Sequence, residues 1–168
     1  MGQSDFTPPK LPSDGANDIE RLTWMLQTID MILFRLVHDD DPTVLDFYMR
    51  SRFKDRWPDV TKAITDSIET IKKAKPESEL FMMLGQAGMT KEMLALKTAS
   101  LAGCVDGLYR EVKTASPILS WRWLKPTMKC MNSILSSLIK ALPGLEAVKE
   151  FKDHFEVGLD VAEAKLAK

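Results

Sequence analysis

Apolar residues recur along this chain at alternating three- and four-residue steps, the period of an amphipathic helix rather than of a strand. Ile19, Leu22, Leu26, Ile29, Leu33 and Leu36 set the pattern, with Asn17 and Glu20 as a capping-box-like start, and predict a helix over 18–38. Trp24, Met25, Met31, Ile32 and Phe34 widen its apolar face beyond a two-stranded seam. Such a helix needs neighbours on several sides, so it is expected at the centre of a bundle. Its regular a and d positions also admit self-association.

Asp41 as N-cap and Pro42 as first helical residue open a second predicted helix over 42–55, with Val44, Leu45, Tyr48 and Met49 inward. Trp57-Pro58 then forces an extended residue. Val60, Ala63, Ile64, Ser67, Ile68 and Ile71 give a third helix over 58–74. Pro76 precedes a short apolar helix, Leu80 to Leu84, which Gly85 and Gly88 punctuate before Thr90 caps a helix over 91–114. There Leu94, Leu101 and Leu108 stand seven apart. Ala99, Ala102, Gly103 and Gly107 would let another helix approach closely, so burial on two sides is expected.

An apolar segment over 117–142 follows, in which Pro126 must kink the helix or divide it. After Pro143-Gly144, residues 144–166 carry Leu145, Val148, Phe151, Phe155, Leu159, Ala162 and Leu166 on one last stripe. No alternating run rich in Val, Ile or Thr is bounded by hairpin turns. The expected architecture is all-α: a single-domain bundle of about six or seven helices over 17–168, preceded by a flexible N-terminal arm over 1–16. Pro8, Pro9, Pro12 and Gly15 keep that arm extended, and Phe6 and Leu11 could clip it to the core.

Composition narrows the functional classes. At 168 residues the chain is long enough for one core. A net charge of −1 provides no long-range field for a polyanion or an anionic membrane, so any such partner needs a local patch. Cys104 and Cys130 are too few for a disulfide framework and lack the close spacing of zinc or redox pairs. With no apolar run of membrane-spanning length, no signal-peptide core and Phe6 where a myristoylation signal prefers Ser or Thr, the chain is expected to be cytoplasmic.

Catalytic and cofactor chemistry finds no anchor. His38 and His154 have no neighbouring cysteine, and no Glu-x-x-His pair occurs. Asp39, Asp40, Asp41 and Asp46 lack the glycine and the terminal glutamate of a calcium loop and suit helix capping instead. Gly85-Gln86-Ala87-Gly88 lacks the lysine of a phosphate loop. No metal, cofactor or enzymatic activity is expected.

Two surfaces remain. From Val112 to Leu145 there is no acidic residue, and Trp121, Arg122, Trp123, Lys125 and Lys129 interleave tryptophan with basic charge. That composition suits an acidic protein surface, a membrane surface or a nucleic-acid backbone. Met82, Met83, Met89 and Met93 cluster about the predicted turn near Gly85 and Gly88, where flexible thioethers could line an adaptable groove or fill the core. The resulting expectation is a non-catalytic helical protein–protein interaction module: an adaptor, regulator or assembly subunit. A membrane-active protein that docks or inserts its 117–142 segment is the first alternative. A subunit following a nucleic-acid backbone through Arg110, Lys113, Arg122, Lys125 and Lys129 is the second.

Overall fold

The computed structural model describes residues 9–13, 15–38, 55–75, 78–114, 121–150, 153 and 157; within these, the side chains of 35–38, 109, 111–114 and 121–124 are excluded. The described residues are all-helical, without a strand. They form α1 (Asp18–His38), α2 (Trp57–Lys73), α3 (Glu79–Gln86), α4 (Lys91–Thr114) and α5 (Trp121–Ala141), then a 3₁₀ turn, Pro143–Leu145, that leads into helical backbone at 146–150. The predicted helix over 42–55, Phe6, Phe151, His154 and the rest of the last stripe, Phe155 to Leu166, lie outside the described residues.

The bundle is built outward from α1, which packs against α2 on one side and α4 on another; α4 packs in turn on α5, and α3 also lies against α5. Leu22, Met25, Leu26, Ile29, Ile32 and Leu33 of α1 are fully buried. The a and d positions that could have driven self-association are therefore spent on the chain's own core. Asn17 caps α1 as its sequence predicts, its Oδ1 accepting the Glu20 amide at 2.9 Å. Against α1, α2 buries the predicted stripe Val60, Ile64, Ser67, Ile68 and Ile71. Across that seam, Thr61 Oγ1 donates to Asp30 Oδ1 at 2.9 Å. Burial raises the Asp30 carboxyl above its usual range, and the Thr61 hydrogen bond opposes that shift.

Two predicted breaks resolve differently. Trp57 is the first residue of α2, with Pro58 in the first turn, where its missing N–H costs no helical bond. Trp57 is buried and meets the Phe34 ring edge-on at a centroid distance of 6.0 Å, which anchors the start of α2 to the end of α1. Arg56 pairs with Glu150 and ties that corner to the helical backbone after the 3₁₀ turn. In α5 the helix runs unbroken through Pro126, because the buried residues that follow it, Met128, Met131, Ile134, Leu135 and Leu138, hold the segment against the core.

The described part of the N-terminal arm is fastened by a polar contact, and Leu11 does not clip it to the core. Trp24 Nε1–H donates to the Pro9 carbonyl at 3.1 Å, whereas Leu11 is 51% exposed. Between the arm and α1 lies a cleft of about 620 Å³ bordered by Lys10, Leu11, Thr23, Gln27 and Lys72.

Candidate interaction surface

The methionine cluster does not form one exposed group. Residues Leu84 to Met89 close α3 with paired reverse hydrogen bonds: the Met89 amide donates to the Leu84 carbonyl at 2.8 Å and the Gly88 amide to the Gly85 carbonyl at 3.1 Å. Gly88 sits at φ +95°, the left-handed conformation this helix-ending motif requires. The motif turns the residue after the glycine back onto the helix, so Met89 is buried with Leu84. Met83 is partly buried against the core, while Met82 is 63% exposed and Met93 38% exposed. Sequence reasoning grouped the four by proximity; the turn divides them between inside and outside.

α4 begins where Thr90 Oγ1 accepts the Met93 amide at 3.3 Å. Leu94, Leu101, Val105 and Leu108 face the core, and Thr98 satisfies its buried hydroxyl by donating to the Leu94 carbonyl at 2.8 Å. The opposite side is solvent-exposed and carries Met93, Ala95, Leu96, Ala99, Ser100 and Gly103, with Leu96 at 61% exposure. For three turns this exposed face bears no charge. Lys97, the one charged residue in that stretch, is half-buried and turns toward α5, its Nζ donating to Ser133 Oγ at 2.6 Å. Glu92 bounds the apolar stretch at one end; Asp106 and Arg110, joined by a 3.1 Å ion pair, bound it at the other. Two-sided burial is thus corrected: Gly107 is buried, but Ala99 and Gly103 look outward, and a Cβ on Gly103 would meet nothing within 4 Å.

The basic tryptophan segment opens α5. Side chains of Trp121, Arg122 and Trp123 lie outside the described residues. Lys125 is half-buried and Lys129 exposed one turn later. The apolar side of this helix is core, and among the described residues no helix is long and apolar enough to cross a membrane.

Two further features carry potential chemistry. A cleft of about 540 Å³ lies where the start of α1 meets the α3–α4 turn, with Ile19, Phe81 and Met89 as apolar lining and Arg21 and Lys91 at its polar edge. Arg21 is engaged by Asp18 at 3.7 Å. At the α4–α5 seam, Cys104 and Cys130 are half-buried free thiols. Burial raises the Cys130 thiol to about 11; the nearby Cys104 adds to the shift and the Lys97 ammonium offsets part of it. A thiol so poised is protonated at neutral pH and a poor nucleophile. Among the described residues no group of three His, Cys, Asp or Glu side chains is arranged to hold a metal ion. The chain matches no protein-family model, no curated protein and no solved structure.

Proposed function

We propose that this domain is a non-catalytic protein–protein interaction module, an adaptor, regulator or assembly subunit, whose contact face is the outer side of α4. The observation that carries the reading is the uncharged exposed stretch from Met93 to Gly103. A surface helix ordinarily turns charged and polar residues to water, and an apolar patch that does not do so marks a binding surface. Leu96 offers an aliphatic anchor beside Ala99 and Gly103, whose small size leaves room for a partner helix to come close. Lys129, and Lys125 beside it on α5, supply the basic charge with which an acidic partner could be oriented.

A capture experiment from native lysate tests this, using the wild type, a Leu96→Glu/Ala99→Glu variant and an Arg122→Glu/Lys125→Glu/Lys129→Glu variant, each matched for helicity by circular dichroism. The substituted α4 positions are exposed, so the fold tolerates them. Loss of the captured proteins by the α4 variant, with retention by the basic-segment variant, is expected. Identical captures by all three would end the reading.

A further inference from the structure

We infer that the cleft where the start of α1 meets the α3–α4 turn binds a small amphipathic monoanion, an apolar ring or short chain that carries one carboxylate. The inference goes beyond the interaction reading above and does not depend on it, since the cleft and the outer face of α4 from Met93 to Gly103 share no residue. At about 540 Å³ the cleft has the size of a small-molecule pocket. Its apolar walls come from three separate parts of the chain: Ile19 from α1, Phe81 from α3, and Met89 from the turn between α3 and α4. All three are fixed from behind. Met89 is buried by the chain reversal at Gly88, and Ile19 and Phe81 pack partly buried against the core. Gly85 borders the same cleft from within α3, where an added Cβ would meet nothing within 4 Å. The glycine thus leaves open a volume that a larger side chain would enter.

The polar edge selects the charge of the ligand. Three charged side chains line the cleft: Asp18, Arg21 and Lys91. Asp18 and Arg21 hold each other at 3.7 Å and leave no net charge between them. Lys91 is exposed at the start of α4 and has no ion-pair partner among the described residues, so the rim carries one unbalanced positive charge. A cationic head group would face that ammonium, whereas a single carboxylate neutralises it. Asp18 lies on the same edge and would repel a second negative charge, which favours a carboxylate over a doubly ionised phosphate monoester. The apolar body then displaces water from Ile19, Phe81 and Met89, and the Phe81 ring offers a surface against which an aromatic ligand can pack. Because Lys91 stands at the exposed rim, its share of the affinity is modest and the walls supply most of it.

Titration of the isotope-labelled full chain with phenylbutanoate, phenylbutanol and phenylbutylammonium, followed by amide chemical shifts, tests the site, because the three probes share a body and differ only in the head group. Saturable shifts centred on Ile19, Phe81, Gly85 and Met89 are expected, with the carboxylate bound about twofold to fivefold more tightly than the alcohol and the ammonium bound most weakly. Lys91→Gln should remove the preference for the carboxylate and leave the affinity for the alcohol unchanged, a result that loss of the fold would not give. Gly85→Leu puts a better helix former into α3 and should weaken all three probes at least about tenfold by filling the cleft, with helicity by circular dichroism retained. Leu96→Glu, on the outer face of α4, should change none of them. Shifts spread over the outer face of α4, equal affinity for the three head groups, binding indifferent to Gly85→Leu, or no saturable shift at millimolar probe overturns the inference.

Discussion

The indole Nε1–H of Trp24 donates to the carbonyl oxygen of Pro9, 3.1 Å away, and so joins the N-terminal arm to the central helix. Trp24 is 4% exposed, and a buried indole donor left unpaired costs stability. Trp24→Phe keeps an aromatic ring in place while deleting the donor. The variant should lose about 0.5–1.5 kcal/mol in urea denaturation. It should also be cut faster by trypsin after Lys10, which is exposed on the arm. Unchanged stability together with an unchanged cleavage rate would mean that the arm is held by something other than this bond.

The Asp30–Thr61 contact sets up a pH dependence. Burial raises the Asp30 carboxyl above its ordinary 3.8, with Thr61 opposing the shift, so the folded chain holds that proton more tightly than the unfolded chain does. Stability from protonated Asp30 is therefore fully present below the unfolded value and is lost as pH rises through the folded one. At neutral pH the ionised carboxylate is a net cost. Asp30→Asn retains an acceptor for Thr61 without the charge, and it should be more stable than wild type near pH 7, with the difference vanishing as pH falls below about 4. Denaturation midpoints measured across that range decide the matter, and a variant less stable at neutral pH would reveal a favourable charge partner for Asp30.

Two glycines should respond to alanine in opposite directions. Gly88 closes α3 at φ +95°, where a Cβ is strained even though space is open, so Gly88→Ala should destabilise by about 1–2 kcal/mol. Gly103 sits inside α4 with helical backbone, and an added Cβ touches nothing within 4 Å. Gly103→Ala should therefore stabilise by about 0.5–1 kcal/mol through the backbone freedom it removes from the unfolded chain. Thermal unfolding of the two variants beside the wild type would show the two signs. A loss at Gly103 would place another part of the chain against that face.

Helix periodicity was most legible where a cap accompanied it. Asn17 and Thr90 mark the starts of α1 and α4, and both helices span the predicted 18–38 and 91–114. The buried stripe of α2 was equally readable, because Val60, Ile64, Ile68 and Ile71 are large and aliphatic, and such residues have one favourable side. The outer face of α4 was not. Ala99 and Gly103 suit a close helix contact as well as an open surface, so their small size could not say which side faced water. Lys97 was no guide either, since its long stem lets a charged residue lie along a seam and end on Ser133. The sequence left the exposure of Met89 and its neighbours open, because its burial follows from the reversal of the chain at Gly88, and Leu84 and Met89 meet only once that turn is made.

Cys130 gives a chemical measure of the α4–α5 seam. Its thiol is raised from 9.0 to about 11, chiefly by burial, with Cys104 adding to the shift and Lys97 offsetting part of it. At a pH near 8 this leaves about a hundredfold less thiolate in the folded chain than in the unfolded one, and the thiolate is the species that reacts. In a Cys104→Ser background, which removes the contribution of Cys104 but keeps the larger one from burial, iodoacetamide should label folded Cys130 more slowly than the guanidinium-unfolded chain, by up to about a hundredfold. Lys97→Met removes the offsetting ammonium and should slow the folded reaction further. Because the folded value lies above the unfolded one, the stability linked to the protonated thiol is intact below pH 9.0 and is lost as pH rises toward about 11. Cys130→Val should flatten that alkaline loss. Labelling as fast in the folded as in the unfolded chain would mean that α4 and α5 part often enough to expose the thiol, and the face that α4 turns outward would then not be fixed by this seam.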